Sequence, residues 1–135
     1  MSLRQENAAI ELHDSKLERI ERRGDDLVVI LGAYVHRPSG RPGIDAGSGW
    51  KQEAHLVVRR GRAADNTSGL PVRLADGHIQ VSGETLDNMI PVPFELSGPS
   101  HLQLHTAEGH TLVIDGEGVT ASLIGDPKYI EEYKK

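Results

Sequence analysis

The stretch Ser100-His101-Leu102-Gln103-Leu104-His105-Thr106-Ala107-Glu108-Gly109-His110-Thr111-Leu112-Val113-Ile114 decides the fold class. Leu102 and Leu104 alternate with His101, Gln103 and His105, and beyond a turn Leu112 and Ile114 flank Val113. An apolar residue at every second position puts one side of an extended chain into a core, so the stretch reads as a β-hairpin. Register fixes the turn. A two-residue loop at Glu108-Gly109 sets polar His105 opposite Leu112 and mixes the faces, because a slip of one residue turns every side chain over. A three-residue loop, Ala107-Glu108-Gly109 with Gly109 left-handed, pairs Leu104 with Leu112 and Leu102 with Ile114, and this register is predicted.

The same pattern extends outward. Asp115-Gly116-Glu117-Gly118 reads as a turn, Val119 to Ile124 as a further strand, and Gly125-Asp126-Pro127 as its end. Upstream, Leu27-Val28-Val29-Ile30-Leu31 is apolar on both faces and leads into Ala33-Tyr34-Val35, as in a central strand covered on both sides. Trp50, Ala54, Leu56 and Val58 share one face of another strand, with Trp50 buried beside the preceding loop. Pro71 to Leu74 and His78 to Val81 read as a short hairpin across Ala75-Asp76-Gly77. Met89 to Leu96 carries Pro91 and Pro93, which lack ladder donors and confine it to an edge or a bulge.

The segment from Ser15 to Gly24 admits two readings. Ser15-Lys16-Leu17-Glu18 matches a helix capping box, and Ile10, Leu17 and Ile20 suit a helical stripe. Only Leu17 and Ile20 are apolar between Ser15 and Gly24, which is little for a helix to bury. A strand with one bulge between them, turned back by Gly24-Asp25-Asp26 into the central strand, is preferred.

Together these elements make about eight or nine short strands, an all-β antiparallel sandwich or half-open barrel in one domain. Residues 1–10 are expected to be poorly ordered, and Lys128 to Lys135, with Tyr129, Ile130 and Tyr133 along one helical side, to form a short carboxy-terminal helix or cap over the sheet or against a second subunit.

Composition bounds the function. The chain has 135 residues, no cysteine and a formal charge of -5. Absence of cysteine removes disulfides, thiolate nucleophiles and zinc ribbons, and favours a reducing compartment. The acidic balance argues against nucleic acid. No apolar run approaches the roughly 20 residues of a membrane helix, and Met1 to Asn7 lack a signal-peptide pattern, so a cytoplasmic location without membrane contact is expected.

The order His13-Asp14-Ser15, Leu17, Ile20, Gly24-Asp25, Tyr34-Val35-His36, a Gly-rich loop, Trp50 and Gly125-Asp126-Pro127-Lys128-Tyr129-Ile130-Glu131 resembles a group of small uncharacterised bacterial β-rich domains. It is also similar to immunity-protein-like domains that begin with a His-Asp strand entry. The resemblance implies a β-rich fold and, for the immunity-like group, the blocking of a protein partner by surface complementarity; it carries over no catalytic residue.

Chemistry-bearing residues are few. His101 and His105 have metal-pair spacing on a helix, but on a strand they stand about 13 Å apart, beyond one zinc with bonds near 2.1 Å. His13 and Asp14 meet His36 if the first two strands are neighbours, and such a set can ligate a metal or small ligand or move protons; the plainer reading has Asp14 and Ser15 bonding local backbone. The loop from Arg37 to Gly49 holds Arg37 and Arg41 near Gly40 and Gly43, a set able to hold an anion or partner, or simply a wide hairpin loop. Arg59, Arg60 and Arg62 read as a solvated strand end, and Asn66-Thr67-Ser68 matches a glycosylation sequon that a cytoplasmic location leaves unused. No hydrolase elbow, zinc-protease pair, phosphate loop or dinucleotide fingerprint occurs. The expected role is a non-enzymatic interaction module of immunity-like kind, binding a protein partner or a second copy without cofactor; the alternative is a small-ligand or metal-binding protein or enzyme using His13, Asp14 and His36.

Overall fold

A computed structural model describes residues 8–38, 47–63 and 70–133. Its strands are β1 (Ala9–Arg23), β2 (Asp26–Pro38), β3 (Gly47–Val58), β4 (Arg62–Ala63), β5 (Val72–Val81), β6 (Glu84–Asp87), β7 (Met89–Pro91), β8 (Phe94–Thr106) and β9 (Thr111–Tyr133). All of their pairings are antiparallel, and among the described residues there is no helix. Of the residues expected to be poorly ordered, 1–7 lie outside the described set, whereas Ala8 and Ile10 are buried at the entry to β1.

The strands run β6-β5-β8-β9-β3-β2-β1-β7 across the sheet, with β4 on β9. β5 also pairs with β1, through Lys16 opposite Arg73 and Leu17 opposite Val72, so the path β5-β8-β9-β3-β2-β1 returns to its start. One apolar cluster draws on each of these six strands, including Leu12, Leu31, Leu56, Ile79, Leu102 and Ile114. Each has 0 % of its surface exposed, so the alternating residues of the hairpin drive this packing at roughly 1.5–3 kcal/mol per large side chain.

The predicted register of β8 and β9 is the observed one: Leu102 opposite Ile114 and Leu104 opposite Leu112, around a turn in which Gly109 has φ +91°. The contested amino-terminal segment is strand, and its register shift falls between Leu17 and Arg19, where one bulge restores alternation. The central strand is covered on both sides. Leu27, Val29 and Leu31 enter the core, while Val28 and Ile30 are 2 % and 1 % exposed on the other face. Glu21 and Arg19 stand opposite them in the ladder, and long charged side chains can shield such a face with their stems. Trp50 packs partly buried against the core, and β7, between Asn88 and the cis Val92-Pro93 bond, ends the sheet as an edge strand.

Three predicted breaks are instead continuous strand. Ala75-Asp76-Gly77 is no hairpin turn, since β5 runs through it with a shift between Leu74 and Asp76 and reverses only at Ser82-Gly83. Asp115 to Gly118 lies inside β9, facing a matching bend at Arg59 to Gly61; Arg59 N donates to Gly118 O and Glu117 N to Arg59 O. Gly125-Asp126-Pro127 does not end the strand either. The tail predicted to be helical continues β9, with Tyr129 opposite Trp50 and Lys128 opposite Lys51.

One cause explains all three. Long strands that curve around a small core need bends, and glycine and proline supply bends as readily as turns. A β-carbon on Gly116 would come within 2.4 Å of Val58 Cγ1 and 2.6 Å of Arg59 O. Gly77 is equally tight, with Gln103 O at 2.7 Å and Leu12 Cδ1 at 3.1 Å from such a carbon. These glycines mark close approach of neighbouring chains. The helical stripe of Tyr129, Ile130 and Tyr133 loses to antiparallel pairing of the backbone along β3, which gives its polar groups ladder partners.

Candidate functional site

The site residues gather where β1 is most irregular. Glu11 pairs with Tyr34 and the ladder resumes at Lys16 opposite Gly32, so Leu12, His13, Asp14 and Ser15 face the single residue Ala33. Leu12 turns inward to full burial, and the hydrophilic pair behind it is thrown outward. Asp14 adopts φ +86°, one of the few left-handed conformations of a non-glycine residue here. Ser15 brings the chain back: its buried hydroxyl donates to Glu11 O at 2.6 Å and accepts from Tyr34 N at 2.9 Å. The hydroxyl thus stands in for the missing ladder bond, as the local-bonding reading of Ser15 expected.

Asn88 braces the bulge from the other side. Its carbonyl accepts from Leu12 N at 2.8 Å and its side-chain Oδ1 from His13 N at 2.8 Å. With both backbone donors held, the side chains of His13 and Asp14 project from a fixed platform.

Glu11 joins the two histidines. One carboxylate oxygen, Oε1, lies 2.5 Å from His36 Nε2, and the other, Oε2, 3.8 Å from His13 Nδ1. His13 Nδ1 is also 3.7 Å from Asp14 Oδ1. Glu11, His13 and Asp14 each offer a ligand atom within 4.8 Å of the others. His36 itself packs edge-on against Tyr34, ring centres 5.3 Å apart, which sets its orientation toward Glu11. Arg73 approaches Asp14 Oδ1 at 4.0 Å and competes for that carboxylate.

The expected convergence of His13 and His36 therefore occurs through a carboxylate that sequence reasoning passed over. Glu11 immediately precedes Leu12, and its alternation with Ile10 and Leu12 already placed it on the outward face. Its link to His36 depended on a pairing offset that no spacing reveals.

The other candidates separate from this place. Arg37 donates to Gln52 Oε1 at 2.9 Å and lies with its guanidinium carbon 6.0 Å from the Trp50 ring centre. Arg41, Gly40 and Gly43 lie outside the described residues, as does Asn66-Thr67-Ser68. His101 meets Asp115 at 2.7 Å and His105 meets Thr111 Oγ1 at 3.0 Å, each bonded to its own neighbour on β9. Arg59 donates to Ser97 Oγ at 2.9 Å and Arg60 approaches Glu117 at 3.7 Å, so these two arginines secure the bend.

Compared with protein-family models, with curated proteins and with solved structures, the chain matches none. No helix among the described residues is long and apolar enough to cross a membrane.

Proposed function

We propose that the protein is a metal-binding β protein that holds a first-row divalent ion, zinc being the best fit, on Glu11, His13 and Asp14. The observation that carries this reading is the double engagement of Glu11, one oxygen toward His36 and the other toward His13. His13 Nδ1 lies 3.8 and 3.7 Å from the Glu11 and Asp14 oxygens, separations that subtend roughly 125° at a metal with bonds near 2.1 Å, and the two carboxylates, their oxygens within 4.8 Å of each other, would draw together on the ion toward tetrahedral geometry. Imidazole among the donors favours zinc or a similar ion over magnesium or calcium. His36 would orient Glu11 from behind, as outer partners commonly orient ligating groups. Three protein ligands leave a fourth position for water or a small ligand. The β5–β1 pairing supports a half-open barrel over a sandwich as the frame for this site.

Isothermal titration of metal-free protein with zinc chloride tests the reading. One saturable site should appear and vanish in the His13→Ala, Asp14→Asn double variant. Equal binding by the double variant would assign the ion to the other surface histidines and remove the proposal.

A second reading, protein binding of the immunity-like kind, is favoured by the far part of β9. Its pairing with β8 stops at Ala121, and beyond that Ile124, Tyr129 and Ile130 are 38 %, 54 % and 45 % exposed. Such an edge is able to accept an extended segment of another chain. Ile124→Lys with Ile130→Lys should abolish co-purification of a partner, and sedimentation of the unmodified protein separates a foreign partner from a second copy.

A further inference from the structure

On the outer face, the row that begins at Glu11 continues through Tyr34, Lys51 and Lys128, each directly opposite the next in the ladder. Lys51 and Lys128 are thus a cross-strand pair of like charge, an arrangement that opposes folding unless something neutralises it. Among the described residues neither ammonium has an ion pair or hydrogen bond, and both side chains are exposed. Both also line a depression of about 360 Å³. That volume falls at the small end of ligand sites, which span about 300–1,000 Å³.

The depression exists because of two backbone features. Gly32 contributes no side chain, and a β-carbon there would come within 2.8 Å of Glu18 Oε2. On the other side, the shift between Lys51 and Glu53 against β9 lifts Gly125-Asp126-Pro127, and Gln52 Nε2 anchors the bulge by donating to Gly125 O at 2.7 Å. Glu18, Glu53 and Asp126 line the same depression as the lysines. Glu53 and Glu18 also lie in the field of Arg19, which raises the Arg19 guanidinium pKa after the larger effect of Glu21. The cavity therefore carries both signs of charge, with two lysines that have no ion pair or hydrogen bond among the described residues.

We propose that this depression binds a small zwitterion of the α-amino-acid class, its carboxylate between Lys51 and Lys128 and its ammonium toward Glu18 and Glu53. A simple anion would meet three carboxylates in the same space, and a simple cation would meet two unneutralised lysines. A molecule with both charges satisfies both ends. The site shares no residue with the Glu11, His13 and Asp14 cluster, so it stands or falls without the metal.

The test is an amide-resolved NMR titration of the full chain with glycine, alanine and lysine, with acetate, ethylammonium and inorganic phosphate as single-charge controls. At least one amino acid should produce saturable shifts at Gly32, Lys51, Glu53 and Lys128, with an affinity at least tenfold above acetate and ethylammonium. Lys51→Met and Lys128→Glu, both exposed changes that leave the core intact, should each weaken that binding about tenfold, or 1.4 kcal/mol. His13→Ala should leave it unchanged. Absence of saturation by glycine, alanine and lysine up to about 20 mM, a range that reaches past millimolar dissociation constants, overturns the proposal. Tighter binding of phosphate than of any amino acid, or unchanged binding in both lysine variants, overturns it as well.

Discussion

The Ser15 hydroxyl accepts the Tyr34 amide hydrogen at 2.9 Å while donating to the Glu11 carbonyl at 2.6 Å. One small side chain thereby closes a gap of four residues against one between β1 and β2, and holds the strand on which Glu11 and His13 are presented. Replacing Ser15 by Ala strands a buried donor and an acceptor. The expected loss is about 1–3 kcal/mol, read from urea unfolding midpoints at unchanged slope. A loss below about 0.5 kcal/mol, ordinary for surface changes, would mean that water or a relaxed backbone replaces the hydroxyl.

Metal affinity should grade with distance from the ion. His13→Ala removes a ligand and should abolish the single zinc site, whereas His36→Gln, which replaces the imidazole bonded to Glu11 Oε1, should weaken it by about 10–100-fold. Isothermal titration measures both, and equal effects from the two changes would contradict the assigned roles.

Gly116→Ala should destabilise the fold by about 1–3 kcal/mol, because the added carbon would meet Val58 Cγ1 at 2.4 Å and the Arg59 carbonyl oxygen at 2.6 Å, the latter backbone that must shift. Thermal unfolding checks this. A stabilised variant would show that the bend between Asp115 and Gly118 is a flexible turn after all.

Hydrogen bonds from Arg19 and then Arg23 hold the Glu21 carboxyl below its usual range. A carboxyl depressed in the folded state adds stability that is present above the ordinary value near 4.3 and is lost as pH falls through the lower folded value. The side chain is exposed, so the contribution is small and fades with salt. Carbon-detected NMR should show Glu21 titrating below the ordinary carboxyl value, and Arg19→Gln should move its midpoint upward. A midpoint unaffected by Arg19→Gln would exclude the Arg19 hydrogen bond as the main cause.

Lys128→Met should stabilise the protein by about 0.2–1 kcal/mol, by removing one of the like-charged pair with Lys51 without adding a carboxylate beside Glu18, Glu53 and Asp126. Chemical denaturation at low salt tests the sign. An unchanged midpoint would show that the exposed lysines already spread apart without cost, and a loss of stability that the neighbouring carboxylates hold the Lys128 charge.

Much of the fold was legible in residue order. The alternation of Leu102, Leu104, Leu112 and Ile114 fixed a register that the structure shares, and scarcity of apolar residues after Ser15 separated strand from helix. What misled was punctuation. Glycine at 77 and 116 was read as chain reversal and proline at 127 as a strand end, yet each lies where a long strand bends around the core or bulges. The tail was misread because Tyr129 and Ile130 fit a helical stripe, and the partner that makes them a strand, the start of β3, is some 80 residues away in sequence.

Sequence alone determined that this chain buries one face of antiparallel strands, since period-two burial is a local property of side chains. It also placed His13, Asp14 and His36 near the open end of one hairpin. Tertiary structure alone decided that Glu11 stands between the histidines, that Asn88 holds the bulge, and that Lys51 and Lys128 face each other across a shallow depression. Those relations depend on bulges and offsets between distant strands, and a shift of one residue would change every partner while leaving the hydrophobic pattern nearly as it is.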